Sequence, residues 1–166
     1  MGISYNIAVV GGSRAESRHL RLAYSVGRLL AARNAIVICG GLTGVMEAVA
    51  RGAKSRGGIS VGILPGSHAG EGNRYLTVRL PTGIGFARNF LIVRASDAVI
   101  AIDGSSGTTS EAAFAISEGK TVISLDSFGL TKSKEDDGDF IVATSAEDAV
   151  EIAISAAARY RSAHNV

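Results

Sequence analysis

The sequence has little of what membrane and secreted proteins need. Its 166 residues include one cysteine, few aromatic residues and no apolar run near the length of about 18 residues that a membrane helix requires. The lone Cys39 cannot form a disulfide within the chain, and the amino terminus lacks the basic and then apolar pattern of a secretory signal. We therefore expect a cytoplasmic protein that does not enter a membrane.

Motifs for metal binding and for the common nucleotide sites are also absent. The three histidines, His19, His68 and His164, are not spaced with cysteines or acidic residues as metal ligands are, so we expect no metal bound directly by side chains. No stretch matches G-x-x-x-x-G-K-[ST] or a clean G-x-G-x-x-G. A P-loop and an ordinary dinucleotide fingerprint are therefore excluded.

Glycine, in contrast, is abundant. The chain has 21 glycines in 166 residues, roughly twice the average share of about 7%. Together with a hydrophobic content of 46%, this composition is typical of a soluble globular protein with many turns. The length is enough for one domain with its own core and too short for two, so residues 1–166 are expected to form a single ligand-binding domain.

Charge is unevenly distributed, although the formal net charge is only +2. Residues 1–94 carry 12 Lys and Arg against 3 Asp and Glu, and residues 95–166 carry 5 against 12. Two interpretations are open: arginines of one helical segment, such as Arg18 and Arg21, lie on a solvated face, or the amino-terminal half faces an anionic ligand. The small net charge argues against nucleic acid as a partner.

Apolar, β-branched runs alternate with segments of helical periodicity along the chain. The predicted strands cover residues 5–10, 35–39, 59–64, 75–80, 97–102, 121–125 and 140–143. The predicted helices cover residues 16–33, 44–56, 86–95, 108–119 and 145–160, the last opened by the capping-box pattern Ser145-x-x-Asp148. Such alternation is typical of a parallel sheet covered on both faces, so the predicted fold class is α/β, doubly wound. The charged stretch 134–139 is predicted to be a solvated loop.

Three strand-to-helix loops are rich in glycine. They contain Gly11, Gly12 and Ser13 after the first strand, Gly40, Gly41, Thr43 and Gly44 after the second, and Gly104, Ser105, Ser106, Gly107 and Thr108 after the fifth. In doubly wound sheets ligands bind at the carboxyl ends of the strands, where glycine lets the backbone approach closely and the next helix presents free N–H groups. These residues are predicted to bind phosphate or another anion, although tight turns alone also require glycine.

Glu111 follows the third loop and has two interpretations. Thr108-x-x-Glu111 matches a capping box, in which the Glu side chain accepts a hydrogen bond from the N-cap amide. A carboxylate beside an anion site is unfavourable unless chemistry or a hydroxylated ligand requires it. The residues alone leave both a helix cap and a functional carboxylate open.

Several of these motifs resemble the lonely-guy family, phosphoribohydrolases that act on cytokinin riboside monophosphates. Residues 104–111, GSSGTTSE, resemble the family motif P-G-G-x-G-T-x-x-E, and residues 40–46, GGLTGVM, resemble its second glycine-rich loop. Three other segments are more similar to a sister group that contains the molybdenum cofactor carrier proteins. They are GILPG at residues 62–66, TGIG at residues 82–85 and ARN at residues 87–89. The resemblance covers almost the whole chain and implies a Rossmann-like fold.

The resemblance also implies roles for two charged residues. In the phosphoribohydrolases the matching Arg and Glu are catalytic, which would bring Arg88 and Glu111 together to hold an anion and to stabilise an oxocarbenium-like state. The sequence departs from the hydrolase pattern at three positions: Asp103 replaces Pro, Ser105 replaces a glycine and Asn89 replaces Lys. These departures argue against hydrolysis, although the loop would still bind phosphate.

Three classes of function follow. The sister-group motifs favour a binding or carrier protein for a phosphate-bearing small molecule, with no required cofactor and with bound molybdenum cofactor or a nucleotide as the implied ligand. The retained Arg88 and Glu111 favour a hydrolase that releases free base and ribose 5-phosphate from a nucleoside 5′-monophosphate. A DNA-processing role has the weakest support, because the net charge is small and no DNA-binding domain is appended. We expect the first class.

A broad apolar stripe on the first helix bears on assembly. The stripe includes Leu20, Leu22 and Leu29 and is wider than one sheet face needs. Together with the habit of the family that the chain resembles, it predicts a homodimer or a homotetramer.

Overall fold

The computed structural model describes residues 4–130 and 138–164, within which seven strands form one sheet. The strands are β1 Asn6–Gly11, β2 Ile36–Cys39, β3 Ser60–Leu64, β4 Val78–Pro81, β5 Ala98–Ile102, β6 Val122–Leu125 and β7 Phe140–Ala143. The helices are α1 Ser17–Ala32, α2 Val45–Lys54, α3 Asn89–Arg94, α4 Ser106–Ser117 and α5 Ala146–His164. The strands are parallel, in the order β4-β3-β2-β1-β5-β6-β7. The predicted α/β, doubly wound fold is confirmed.

Helices cover both faces of the sheet because its strands are apolar on both sides. In β1, Ile7 and Val9 belong to a core shared with α1, α2 and α5, whereas Ala8 and Val10 belong to a second core shared with α3 and α4. Successive side chains of a strand point to opposite faces, so a continuous apolar run is what a doubly covered strand needs.

The strand order reverses between β1 and β5. Strands β2, β3 and β4 lie on one side of β1, and β5, β6 and β7 lie on the other. In open α/β sheets the connections diverge at such a point, and a crevice opens at the carboxyl ends of the strands. The first and third glycine-rich loops leave the sheet at this crevice.

The apolar stripe of α1 is explained by packing within the chain. A Cβ on Gly27 would lie 2.1 Å from the carbonyl oxygen of Val49, and a Cβ on Gly52 would lie 2.1 Å from that of Tyr24. Glycine at both positions therefore lets α1 and α2 pack at backbone distance. The partly buried leucines of the stripe pack against the core that α1 shares with α2 and α5: Leu20, Leu22 and Leu29. The stripe thus gives no evidence of assembly, and the homodimer or homotetramer stays a prediction.

Most predicted segments differ from the observed ones by a few residues at their ends, and local hydrogen bonds and backbone conformation account for two of the differences. β4 begins at Val78 rather than at residue 75, since Asn73 holds a turn in which its Oδ1 accepts a hydrogen bond from the Tyr75 N–H at 3.1 Å. The predicted helix 86–95 divides into a 3-10 turn, Gly85–Arg88, and the short α3. This division places Arg88 where the turn meets the helix.

One of the two hydrogen bonds of the capping box predicted at the start of the last helix is present. The Asp148 N–H donates to Ser145 Oγ at 3.1 Å, as in a capping box. The Asp148 carboxylate instead accepts from the N–H of Thr144, one residue earlier than the pattern predicts, at 2.9 Å.

Of the predicted loop 134–139, residues 134–137 lie outside the described part of the chain. No helix in the described part is both long enough and apolar enough to span a bilayer.

Candidate functional site

A cleft of about 560 Å³ opens where the strand order reverses. Nine of the residues predicted from the sequence line it: Gly11, Ser13, Gly40, Arg88, Ser105, Ser106, Gly107, Thr108 and Glu111. The cleft volume is within the range of roughly 300–1,000 Å³ that small-molecule sites occupy. The fold therefore gathers parts of all three glycine-rich loops, together with Arg88 and Glu111, around one cavity.

Five predicted residues do not line the cleft: Gly12, Gly41, Thr43, Gly44 and Gly104. Several of them join the first two loops instead. The Val45 N–H, which leads α2, donates to the Gly12 carbonyl at 3.1 Å, and Thr43 Oγ1 donates to the Ser13 carbonyl at 3.1 Å. The first amide of α2 is therefore hydrogen-bonded to the first loop and is not available to bind a ligand.

The first turn of α4, in contrast, faces the cleft. Ser105 is the N-cap, and its Oγ accepts from the Thr108 N–H at 3.5 Å. The N–H groups of Ser106 and Gly107 have no acceptor among the residues that the structure describes. Unpaired amides at the positive end of a helix dipole are a ready binding site for phosphate or carboxylate. Among the residues that line the cleft, this turn has the backbone geometry best suited to an anion.

The loop before α4 begins in an unusual conformation. Asp103 has a φ of 61°, in the left-handed region. Proline is fixed near a φ of about −65° and cannot adopt this conformation. The replacement of the hydrolase-type Pro by Asp103 is therefore a difference in backbone path as well as in side chain.

The capping interpretation of Glu111 is wrong. α4 begins at Ser106, so Glu111 lies in the second turn of the helix and not three residues after the N-cap. Its side chain is 6% exposed and lines the cleft. No hydrogen bond or ion pair holds its carboxyl group within residues 4–130 and 138–164. Burial raises the pKa of Glu111 to about 7, while Arg88 acts in the opposite direction.

Arg88 is the cation of the cleft. It is 5% exposed, and its Nη2 donates to the Gly40 carbonyl at 3.3 Å, while Nη1 contacts Asn89 Oδ1. Its Nε has no partner among the described residues. Burial lowers the pKa of the Arg88 guanidinium, and Glu111 opposes that shift. A guanidinium with an unused N–H at a cleft can bind an oxyanion.

Gly40 makes room for this guanidinium. A Cβ at position 40 would lie 2.6 Å from Arg88 Nη2 and 2.7 Å from Met46 Sδ. Contacts this short do not occur without a shift of the neighbouring atoms. The second glycine-rich loop therefore serves the site by seating Arg88, a role that the sequence pattern did not indicate.

Sequence reasoning missed six residues that line the cleft: Val10, Leu42, Met46, Phe86, Asn89 and Ser110. Four of them stood in motifs quoted for the family resemblance, so that signal was available: Leu42, Met46, Asn89 and Ser110. Phe86 is 84% exposed, and nothing in its sequence context distinguished it from a helix residue. The cleft thus has an apolar side that the motifs did not predict.

Other residues considered in the sequence analysis have no direct role in the cleft. Cys39 is buried at the end of β2, where burial raises its thiol pKa to about 11, as expected of a packing residue. Arg14, Arg18 and Arg21 are exposed and do not line the cleft, which favours the solvated-face interpretation. Within the described part of the chain, no three His, Cys, Asp or Glu side chains are grouped so that they could hold a metal ion.

Comparisons with known proteins agree with the motif resemblance. An uncharacterized protein of Archaeoglobus fulgidus is 47% identical over 119 residues, which cover 72% of this chain and 78% of that protein. The solved molybdenum cofactor binding protein of Rippkaea orientalis is similar with a TM-score of 0.84 and 33% identity over 92% of this chain and 97% of its own. The molybdenum cofactor carrier protein of Chlamydomonas reinhardtii gives 0.80 and 25% over 94% and 99%.

A more distant similarity concerns the fold alone. DNA processing protein A of Streptococcus pneumoniae has a TM-score of 0.68 at 18% identity, over 89% of this chain and 61% of its own. The model of the SLOG cluster4 family, in contrast, matches residues 4–150, nearly the full length. The predicted resemblance to lonely-guy-type, Rossmann-like proteins is confirmed, and the chain belongs to the SLOG cluster4 family.

Proposed function

We propose that this protein binds and carries a phosphate-bearing small molecule of the molybdopterin or nucleotide type in the cleft. The observation that carries the proposal is the meeting of two anion-binding features in one cavity. Within residues 4–130 and 138–164, the amides of Ser106 and Gly107 at the start of α4 have no acceptor, and the buried Arg88, which lines the same cleft, has an unused Nε–H. No required cofactor is part of this proposal.

The phosphate end of the ligand would lie against α4. Backbone N–H groups select an oxyanion by geometry and charge, without regard to the rest of the ligand. Arg88 would neutralise the second charge of a phosphate monoester and would fix its orientation. Ser105 and Thr108 add hydroxyl groups at the same turn.

The remainder of the ligand would lie on the apolar side of the cleft. Phe86, Leu42 and Met46 line the cavity, and the ring of Phe86 is exposed. Aromatic rings of the pterin or purine type stack on such a surface. Glu111, which makes no hydrogen bond to the residues that the structure describes, would accept hydrogen bonds from ligand hydroxyl or ring N–H groups.

The structural relatives support a binding or carrier role. Proteins with 33% and 25% identity and nearly complete mutual coverage are named for binding or carrying molybdenum cofactor. Molybdenum cofactor is a phosphate-bearing pterin, so it suits both ends of the cleft. We extend the binding role to this chain on the strength of its own Arg88 and α4 amides.

A second candidate is a phosphoribohydrolase, which Glu111 and Arg88 favour because they share one cleft. A carboxylate near the anomeric carbon could stabilise positive charge in the transition state or orient water. Against this candidate stand the departures at Asp103, Ser105 and Asn89 and the left-handed backbone at Asp103. Loss of the hydrolase-type Lys at position 89 removes a cation from the site.

One pair of assays separates the two functions. Purified protein is incubated with molybdenum cofactor released from a molybdoenzyme and, separately, with 5′-AMP; protein-bound molybdenum is measured after gel filtration, and free adenine is measured by chromatography. The carrier proposal predicts retained cofactor and no adenine. Steady release of adenine, abolished by Glu111→Gln, would replace the carrier proposal with the hydrolase. An assay that shows neither retained molybdenum nor released adenine would reject both.

Location and assembly complete the proposal. We expect the protein to act in the cytoplasm, as a homodimer or homotetramer, without nucleic acid as a partner. Light scattering at micromolar concentration tests the assembly, and a monomeric mass would contradict it.

A further inference from the structure

A buried histidine lies behind the anion-binding turn. His19 of α1 is 4% exposed, and its ring faces a carboxylate with each nitrogen. Nδ1 lies 3.8 Å from Asp103 Oδ1, and Nε2 lies 3.2 Å from Asp126 Oδ2. Neither ring nitrogen makes a hydrogen bond of good geometry within the described residues, although each lies near a carboxylate oxygen. We call these three side chains the His19 clamp.

Both carboxylates of the clamp belong to strained turns. Asp103 is the first residue after β5 and Asp126 is the first after β6, with φ values of 61° and 51°. The left-handed conformation is unfavourable for residues other than glycine, although Asp tolerates it better than most. Two such residues at adjacent strand ends persist only where the surroundings hold them. The ring of His19 is the group that contacts both.

The clamp is connected to the cleft through Asp103. The Asp103 carbonyl accepts a hydrogen bond from Ser127 Oγ, which ties the turn after β6 to the turn after β5. A Cβ on Gly12 would lie 2.8 Å from Asp103 Oδ2, so this carboxylate is packed against the first glycine-rich loop. The residues that follow Asp103 carry the unpaired amides of α4. Asp103 thus contacts His19 and the first glycine-rich loop, and it begins the third glycine-rich loop. A change of the side chain at position 19 therefore reaches both loops through Asp103.

The two aspartates of the clamp bring negative charge to the ends of β5 and β6. Asp103 and Asp126 would repel an anion bound at the neighbouring strand ends. The ring of His19 lies between them, and Arg18 Nη1, also on α1, lies 3.3 Å from Asp126 Oδ2.

We infer that His19 is a positioning residue for the anion site, which holds the turns at Asp103 and Asp126 and thereby sets the direction of the Ser106 and Gly107 amides. The inference rests on the proposed function for its ligand. Its structural part, that His19 holds the turns at Asp103 and Asp126, does not depend on that function, because the order of these turns can be measured without ligand.

The test uses His19→Phe, which keeps a ring in the pocket and removes both nitrogens. The control is Arg161→Gln, which breaks a charged pair at the opposite end of the sheet, where Arg161 Nη2 donates to Asp97 Oδ2 at 2.7 Å. Amide hydrogen exchange is measured in ligand-free protein at Thr108 and Thr109, whose N–H groups donate to Ser105 Oγ and to the Ser105 carbonyl in the first turn of α4. Affinity for 5′-AMP and for inorganic pyrophosphate is measured by calorimetry at a temperature where all variants are folded.

We expect His19→Phe to speed exchange at Thr108 and Thr109 by at least about tenfold and to weaken binding of the probe by a similar factor. Arg161→Gln should lower the melting temperature and leave both readouts unchanged. Wild-type exchange rates in His19→Phe, or equally fast exchange in Arg161→Gln, would overturn the inference.

Two further outcomes are decisive as well. If His19→Phe does not fold, Asp126→Asn takes its place, since Asn also tolerates the left-handed conformation and removes only the charge. It should speed exchange at Thr108 and Thr109 in the same way, and unchanged rates would overturn the inference. If wild-type protein binds neither probe, the proposed function loses its support, while the exchange rates still decide the role of His19.

Discussion

Glu111→Gln gives the most quantitative test of the cleft. Burial raises the pKa of Glu111 to about 7 in the folded protein, against its ordinary value of 4.5. The folded state therefore binds a proton more tightly than the unfolded state between these two values. It follows that the free energy of unfolding falls as the pH rises through this range and is level above it. Because glutamine is neutral at every pH, Glu111→Gln should remove this decrease in the free energy of unfolding.

The magnitude follows from the same pKa values. At about 1.4 kcal/mol per pKa unit, the buried carboxylate costs the folded state roughly 3 kcal/mol when it is fully ionised. From about pH 5 to about pH 8, the stability of Glu111→Gln relative to wild type should therefore increase by about 2 kcal/mol. A helix cap would give the opposite sign, because a cap stabilises the ionised form and loses its effect as the pH falls.

Urea unfolding followed by circular dichroism measures the effect at several pH values. Taking the difference between variant and wild type cancels the titration of all other groups. Glu151→Gln is the matched control, because its carboxylate is 56% exposed and pairs with Arg33 on the surface; its difference should be flat. A Glu111→Gln difference that is flat, or that decreases with pH, would refute the account of Glu111 as a buried, unpaired carboxyl group.

Three further predictions concern the cleft and the core. Arg88→Gln should weaken calorimetric binding of pyrophosphate at least about tenfold, since it removes the cation of the site; unchanged affinity would contradict that role. Phe86→Ala should weaken binding of 5′-AMP but not of pyrophosphate, with little change in melting temperature; equal effects would argue against stacking. Gly27→Ala should destabilise the fold by about 2 kcal/mol or more in urea unfolding, whereas Gly70→Ala, which meets open space, should not.

The sequence predicted the fold well because its strands are buried on both faces. β6, residues Val122–Leu125, is an uninterrupted apolar and small run, and such runs between helical segments leave few alternatives to a parallel sheet. The strand ends were less accurate where side chains bind the backbone. Asn73 delays β4, and no periodicity shows that contact. The reversal of strand order between β1 and β5 is a long-range property that local patterns do not contain.

The site was predicted in part for a comparable reason. Glycine-rich loops after strands mark the correct end of the sheet, and Arg88 and Glu111 entered through the family motif. The start of α4 could not be fixed, because Ser105 and Thr108 are both good N-cap residues, and the choice decided whether Glu111 was a cap. The His19 clamp joins residues that are far apart in sequence. Only the folded chain brings them together.

The central claim is that the first turn of α4 and Arg88 hold the anion of the ligand. Titration of 15N-labelled protein with pyrophosphate and with 5′-AMP, followed by amide chemical shifts, tests it most directly. The account predicts that the largest shifts fall on Ser106 and Gly107 with both probes, and that Arg88→Gln reduces them. Binding that leaves these two amides unmoved, while amides elsewhere shift, would contradict the claim.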